Sequence, residues 1–215
     1  MDDRGQPRPT CRTCLRPAVV CWCDRLVRVE TRTRVVIVQH PSERRKAIGT
    51  GRMAAACLVG AETVVTKGFG ERDPRLVRLL SDPDRPAWLL FPGTAAADAD
   101  QAPPAGPITL VAVDATWSHA VPMVHRNPLL AALPRIAFRP DAPSGYRIRR
   151  QPRGECMSTI EALAHVLGVL EGDPAGMARL LEPFRALIDR QIALRDRRYE
   201  PRYPVRKLAR RAARG

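Results

Sequence analysis

Short runs of apolar residues alternate with amphipathic segments along most of this chain. One such run, residues 34–39, is rich in β-branched side chains and predicts a buried strand. Four more runs predict further strands, at residues 61–66, 87–91, 108–113 and 135–138. Helical spacing predicts helices at residues 43–59, 76–80, 156–170 and 174–195, and a helical turn that begins near Trp117. Strands that alternate with helices favour an α/β domain with a mostly parallel sheet.

Three segments carry no such periodicity. Residues 94–107 are rich in Ala, Asp and Pro and are predicted to form a surface loop. Residues 140–153 form a basic loop, and the tail 198–215 is basic as well. The first ten residues lack an apolar stretch and no run reaches the length of a membrane span, so we expect a cytoplasmic protein without membrane contact.

The net charge of the chain indicates the class of its binding partner. The 215-residue chain carries 36 Lys and Arg against 22 Asp and Glu, a formal net charge of +14. Such an excess favours a polyanionic partner such as nucleic acid, because basic side chains neutralise phosphates and release their counterions. A coding bias towards Arg is the alternative explanation, since all but three of the basic residues are Arg.

Four of the six cysteines stand close together, at Cys11, Cys14, Cys21 and Cys23. In a reducing compartment such a cluster favours a metal site over disulfides, and four thiolates complete the shell of a structural Zn²⁺ ion. Ordinary buried thiols are the alternative. We therefore expect an N-terminal zinc module over residues 1–30, a catalytic domain over residues 31–197 and a tail over residues 198–215.

Asp114 ends the best-defined predicted strand and is followed by Ala115, Thr116 and Trp117. Ligands of parallel sheets bind beyond the carboxyl ends of the strands, where an Asp can accept a proton from a substrate. Trp117 offers a stacking face for a base. The alternative is an Asp that caps the next helix, with Trp117 in the core.

The segment Asp114–Trp117 resembles the signature of the DTW-domain family, the tRNA-uridine aminocarboxypropyltransferases. Other segments resemble that family in the same order along residues 11–170: the four cysteines, residues 40–52 with His40-Pro41 and Thr50-Gly51-Arg52, residues 127–129, residues 146–152, and residues 158–162, which read Ser-Thr-Ile-Glu-Ala.

The resemblance implies a SPOUT-like α/β fold with a trefoil-knotted pocket for S-adenosylmethionine. Its implied catalytic residue is Asp114, as the base for a uridine N3 proton. The residues implied to bind the cofactor are Leu90, Phe91, Pro92, Gly93, Thr116, Trp117, Arg149, Ser158 and Thr159. Those implied to bind the substrate or RNA are His40, Thr50, Arg52, Arg147 and Arg150, although each arginine can equally be a solvated surface residue. His119 is a lesser candidate, and Glu161 is expected to complement the dipole of its helix.

The implied reaction transfers the 3-amino-3-carboxypropyl group of S-adenosylmethionine to N3 of a tRNA uridine and releases 5′-methylthioadenosine. Two alternatives stay open at this point: a SPOUT-type methyltransferase acting on RNA, and a zinc-containing RNA-binding protein without enzymatic activity. We expect tRNA as the partner, no obligate protein partner, and a monomer rather than a dimer.

Overall fold

The computed structural model describes residues 9–46, 48–66, 73–148 and 156–195, which form an α/β structure around one parallel sheet. Its six strands are β1 (Arg34–Gln39), β2 (Glu62–Val65), β3 (Ala87–Leu90), β4 (Ala97–Asp98), β5 (Thr109–Asp114) and β6 (Arg135–Ala137). They lie in the order β2-β1-β5-β3-β6-β4, and every neighbouring pair is parallel. The predicted α/β fold with a mostly parallel sheet is thus confirmed.

The central strands are buried on both faces, because successive side chains of a strand point to opposite sides. In β1, Val35 and Ile37 belong to one hydrophobic cluster and Val36 and Val38 to the other. Such two-sided burial is typical of parallel sheets, whose crossover helices cover both faces. It also explains why these strands read as continuous apolar runs in the sequence.

Seven helices connect and cover these strands in the described part of the chain. They are α1 (Thr50–Cys57), α2 (Pro74–Leu80), α3 (Trp117–Arg126), α4 (Pro128–Ala131), α5 (Thr159–Glu171), α6 (Pro174–Ala178) and α7 (Leu181–Arg195). Buried side chains of α1, α5 and α7 pack on one face of the sheet, and those of α2, α3 and α4 pack on the other. The result is a three-layer arrangement.

The predicted helix over residues 43–59 is wrong in its extent. The structure has a 3₁₀ turn at Pro41–Arg45 and starts α1 only at Thr50, after Gly49 in an extended conformation. Glycine costs a helix up to about 1 kcal/mol relative to alanine, so the two segments form separately.

Two other predictions need correction. Residues 94–107 are not wholly a loop, because Ala97 and Asp98 pair with β6 as an edge strand. The helix predicted over residues 174–195 is divided into α6 and α7. Pro183 explains the break, because its ring would clash with the carbonyl of Arg179 in a continuous helix.

The N-terminal segment packs on the same face of the sheet as α7. Trp22 and Val29 are buried in the cluster that contains α5 and α7. The Arg190 guanidinium of α7 binds the Asp24 carboxylate, with one N–O distance of 2.8 Å, and also donates to the Cys21 carbonyl. The cysteine-bearing segment is therefore anchored to the end of the fold.

The described helices include none with the length and apolar character needed to cross a membrane. Arg149, predicted to bind the cofactor, Arg150, predicted to bind RNA, and the basic tail 198–215 lie outside the described residues. The knot implied by the resemblance stays a prediction.

Glu171 ties the end of α5 to the segment before β1. Its carboxylate accepts hydrogen bonds from the backbone N–H groups of Arg32 and Thr33, both at 2.9 Å, while 8% of the side chain is exposed. Burial raises the pKa of this carboxyl, but the hydrogen bonds from Thr33 and Arg32 outweigh it, so the net pKa lies below the ordinary value. Glu171 therefore stabilises the folded state in its ionised form.

We predict that E171Q lowers the free energy of unfolding at pH 7 by about 1–3 kcal/mol, because hydrogen bonds to a charged acceptor are lost. A folded-state pKa below the unfolded one makes this contribution complete above pH 5 and lost as the pH falls below about 4. Urea unfolding of both proteins at pH 7 and at pH 3.5 measures it. A stability difference that stays equal at the two pH values would contradict the ionised role.

Candidate functional site

The carboxyl ends of the three central strands meet at one edge of the sheet. Gln39 ends β1, Asp114 ends β5 beside it, and Leu90 ends β3 on the other side of β5. The parallel register places Gln39 opposite Asp114. Loops that follow these strands therefore converge around Asp114, as expected for a site of this sheet type.

The Asp114 carboxylate is buried and holds two hydrogen bonds. Only 3% of the Asp114 residue is exposed to solvent. Oδ2 accepts from Gln39 Nε2 at 2.8 Å, and Oδ1 accepts from Thr159 Oγ1 at 2.8 Å. Asp114 thus links β1, β5 and the first residue of α5. It does not cap α3, whose N-cap residue is Thr116, so the capping interpretation is wrong.

Gly51 in the first turn of α1 lies directly against this carboxylate. A Cβ atom built on Gly51 would stand 2.4 Å from Asp114 Cγ and 2.5 Å from Oδ2. Real Cβ contacts do not reach such distances, so any larger residue forces Asp114 or α1 to shift. The Thr-Gly-Arg segment therefore needs its glycine for the close approach of helix and carboxylate.

Beside Asp114 lies a cavity of about 1060 Å³, large enough for a nucleoside-sized ligand. Its walls come from the loops after β3, β5 and β6, from α3 and from the start of α5. The residues that line it are Leu90, Phe91, Pro92, Ala112, Val113, Ala115, Trp117, Ala120, Val121, Ala137, Phe138, Arg139, Pro140, Cys156, Met157, Thr159 and Ala162.

Five residues predicted for cofactor binding line this cavity: Leu90, Phe91, Pro92, Trp117 and Thr159. Trp117 is 41% exposed, which excludes the interpretation of this residue as a core anchor. Its indole and the Phe91 ring lie 5.8 Å apart between centroids, tilted by 50°. The two rings form an aromatic wall that is open to solvent.

Three other residues predicted for the cofactor do not line the cavity. Thr116 is the N-cap residue of α3 and its hydroxyl contacts that of Ser118. Ser158 caps α5: its hydroxyl and backbone N–H both donate to Glu161 Oε2. Gly93 faces the Arg135 side chain.

The residues predicted for RNA lie apart from the cavity. His40 stacks on His119 with 4.2 Å between ring centroids. Thr50 is buried in the first turn of α1. Arg52 donates to the carbonyls of Cys14, Arg44 and Lys46. Arg147 pairs with Asp189.

Glu161 does more than complement the dipole of α5. Besides the two bonds from Ser158, its carboxylate accepts from the Ser144 hydroxyl and the Gly145 backbone N–H, each at 2.7 Å. This buried acid therefore fixes the loop before the undescribed segment to the start of α5, beside the cavity.

Sequence reasoning missed several residues of the site. Gln39 carried a readable signal, because a polar side chain ends an otherwise apolar strand. Phe138 and Arg139 follow β6, a third strand end beside those that were considered. Cys156 was left without a role, and its buried thiol lines the cavity.

The four N-terminal cysteines form a compact cluster. Their sulfur atoms all lie within 4.8 Å of one another, with 3.7 Å between those of Cys11 and Cys23 and between those of Cys14 and Cys21. Ligands about 2.3 Å from a tetrahedral centre stand about 3.8 Å apart, so the cluster can hold a metal ion.

The pKa values of these thiols are shifted in different directions. The backbone N–H of Cys14 is the main cause that lowers the pKa of the Cys11 thiol, to about 6. Burial raises the pKa of Cys21 and Cys23 above the ordinary value. A bound cation supplies the charge that favours all four thiolates.

Comparison with known proteins places the chain in a family. The profile described as the DTW domain matches residues 8–192. Proteins called tRNA-uridine aminocarboxypropyltransferase 2 are similar to the chain: that of Mus musculus is 32% identical over 88% of this chain, that of Macaca fascicularis 33% over 86%, and that of Drosophila melanogaster 34% over 88%.

The alignments cover 66%, 64% and 78% of these three relatives, so the chain spans less than two thirds of the length of the first two. No solved structure matches. The profile match extends over most of the chain and includes both the cysteine cluster and the Asp114 site. The chain belongs to the DTW domain family.

Proposed function

We propose that this protein transfers the 3-amino-3-carboxypropyl group of S-adenosylmethionine to N3 of a uridine in tRNA. The observation that carries the proposal is the similarity to three proteins named tRNA-uridine aminocarboxypropyltransferase 2 across most of the chain. The cavity beside Asp114 supports it, because its size and aromatic wall suit an adenosine-containing ligand. The net charge of +14 supports a polyanionic RNA substrate.

The chemistry asks mainly for positioning. Uridine N3 attacks the γ-carbon of the methionine chain, the S–Cγ bond breaks, and its electron pair stays on sulfur in 5′-methylthioadenosine. Holding both reactants in line can supply on the order of 7–11 kcal/mol of the barrier reduction. A mainly apolar cavity suits a cationic donor that loses its charge in the reaction.

The N3 proton needs an acceptor, and Asp114 is our candidate. Its carboxylate is buried and does not itself line the cavity, but Thr159 does. The Thr159 hydroxyl already donates to Asp114 Oδ1, so its oxygen can accept the N3 proton as its own proton passes to the carboxylate. This relay places the base one hydrogen bond away from the substrate.

We propose that the cluster of Cys11, Cys14, Cys21 and Cys23 binds a structural Zn²⁺ ion. The donor set supports zinc, because four thiolates leave no open position for a substrate. The ion would hold the N-terminal segment against α7 rather than take part in transfer.

The by-product of the reaction tests the proposed function. Incubation of the protein with tRNA and S-adenosylmethionine should yield 5′-methylthioadenosine and a tRNA nucleoside heavier by one aminocarboxypropyl group, both measured by mass spectrometry. S-adenosylhomocysteine in place of 5′-methylthioadenosine would indicate a methyltransferase instead. Absence of any S-adenosylmethionine binding would contradict both enzymatic functions.

We predict that D114N lowers the transfer rate at pH 7 by about 10²–10⁴-fold, the usual contribution of a general base. The amide keeps the size of the side chain and one acceptor oxygen, so S-adenosylmethionine binding should persist. Because higher pH ionises N3 without a base, the rate of D114N should rise more steeply with pH than that of the wild type. A pH profile parallel to that of the wild type would remove Asp114 from the base role.

G51A tests the same site without a change of charge. The added Cβ displaces the Asp114 carboxylate, and a misplacement of about 1 Å can cost roughly 100-fold in rate. G145A is the matched control, because the nearest atom to its added Cβ is 3.5 Å away, an ordinary contact. Equal rates for G51A and the wild type would show that the position of Asp114 is not critical.

For the metal, we predict one zinc ion per chain by elemental analysis and its loss in C14S. Loss of the ion should lower the thermal unfolding midpoint by on the order of 10 °C, because metal binding contributes directly to folding. C57A is the control. Cys57 is a buried cysteine outside the cluster, so the C57A protein should keep its zinc ion. A wild-type chain purified without zinc and unaffected by chelator would refute the site.

A further inference from the structure

The cavity beside Asp114 contains a single formal charge among its described lining residues. Arg139, two residues after β6, is that residue. The other walls are aliphatic or aromatic except for the Thr159 hydroxyl, the Cys156 thiol and the indole of Trp117. No carboxylate from the described residues lines the cavity. An anionic group of a bound molecule therefore has one obvious position within it.

Arg139 differs from Arg52, Arg135 and Arg147 because its guanidinium has no hydrogen-bond or ion-pair partner among the described residues. Arg52 binds three backbone carbonyls, Arg147 pairs with Asp189, and Arg135 donates to the Pro92 carbonyl while its guanidinium lies 5.7 Å from the Phe91 ring centroid. Within the described ranges no acceptor binds the Arg139 guanidinium, and the residue is exposed. Its donors are available for a ligand, and a planar guanidinium binds a carboxylate through two parallel hydrogen bonds.

We propose that Arg139 binds the α-carboxylate of the methionine part of S-adenosylmethionine and thereby selects the carbon that is transferred. The inference rests on the proposed function. A sulfonium has three electrophilic carbons: the methyl group, the ribose C5′ and the methionine Cγ. A carboxylate held by Arg139 fixes the far end of the chain that bears Cγ, while adenosine in the apolar cavity fixes the sulfur end. The chain between these two anchors is then presented to N3.

The charges of the ligand suit this arrangement. The aromatic side chains of Phe91, Trp117 and Phe138 line the cavity, and ring faces attract a sulfonium cation. The carboxylate is instead attracted to Arg139, the only cationic side chain among the described residues that line the cavity. After transfer the carboxylate remains on the modified uridine, which means that Arg139 binds the same group in substrate and product.

The cation can also meet a tRNA phosphate, the other anion available to this enzyme. The carboxylate is favoured, because Arg139 lines the same cavity as the aromatic side chains that are proposed to hold the adenosine part of the ligand. Binding measurements with ligands that lack the carboxylate separate these two anions.

The experiment measures the affinity of the full chain for S-adenosylmethionine, for decarboxylated S-adenosylmethionine and for 5′-methylthioadenosine by titration calorimetry. We expect the wild type to prefer the carboxylated ligand over the decarboxylated one by about 10- to 100-fold. R139Q should lose this preference and keep the wild-type affinity for 5′-methylthioadenosine. R78Q is the matched control, since Arg78 is exposed on α2 and does not line the cavity.

Three results overturn the assignment. The first is retention by R139Q of the preference for the carboxylated ligand. The second is loss of that preference by R149Q in place of R139Q. The third is a weaker affinity of R139Q for tRNA alone, which would assign Arg139 to a phosphate. In each case S-adenosylmethionine still binds the wild type and the proposed function stands. A wild type that binds none of the three ligands contradicts the proposed function together with this inference.

Discussion

The hydrogen bonds of the Asp114 carboxylate connect the parts of the molecule that form the candidate site. Gln39 brings β1 to it, Thr159 brings the start of α5, and α1 approaches closely enough at Gly51 to leave no room for a side chain. Because the carboxylate is buried, these bonds act in a medium of low dielectric, where both their strength and the penalty for losing a partner are high. Of the walls of the cavity, the loop after β5 and the start of α5 belong to the elements joined in this way, so the relative position of these two walls depends on one acidic side chain.

Much of the sheet could be predicted from the sequence, because strands buried on both faces leave continuous apolar runs such as residues 34–39 and 108–113. Where prediction failed, the deciding contacts were not local. Ala97 and Asp98 have little strand propensity and are extended because β6 offers an edge to pair with. The break between α6 and α7 was readable in principle from Pro183, because proline is disfavoured in the interior of a helix and favoured in its first turn.

The residues of the candidate site also fall into those that could be predicted from the sequence and those that could not. Residues at the ends of β3 and β5 were found, since a parallel topology places them at one edge of the sheet, whereas Gln39 at the end of β1 and the residues after β6 were missed. The role of each arginine could not be predicted, because it depends on the partner that the fold supplies: Arg147 finds Asp189, whereas Arg139 finds none among the described residues. Ser158 is a different case. The Ser-x-x-Glu spacing to Glu161 is the signature of a capping box, and it indicates a helix start before it indicates a ligand.

Arg52 joins two features that were described separately. Its guanidinium donates to the Cys14 carbonyl inside the cysteine cluster and to the Lys46 carbonyl, while its neighbour Gly51 touches Asp114. The position of the α1 turn that contacts Asp114 therefore depends on hydrogen bonds made outside the cavity, at the cysteine cluster and in the segment before α1.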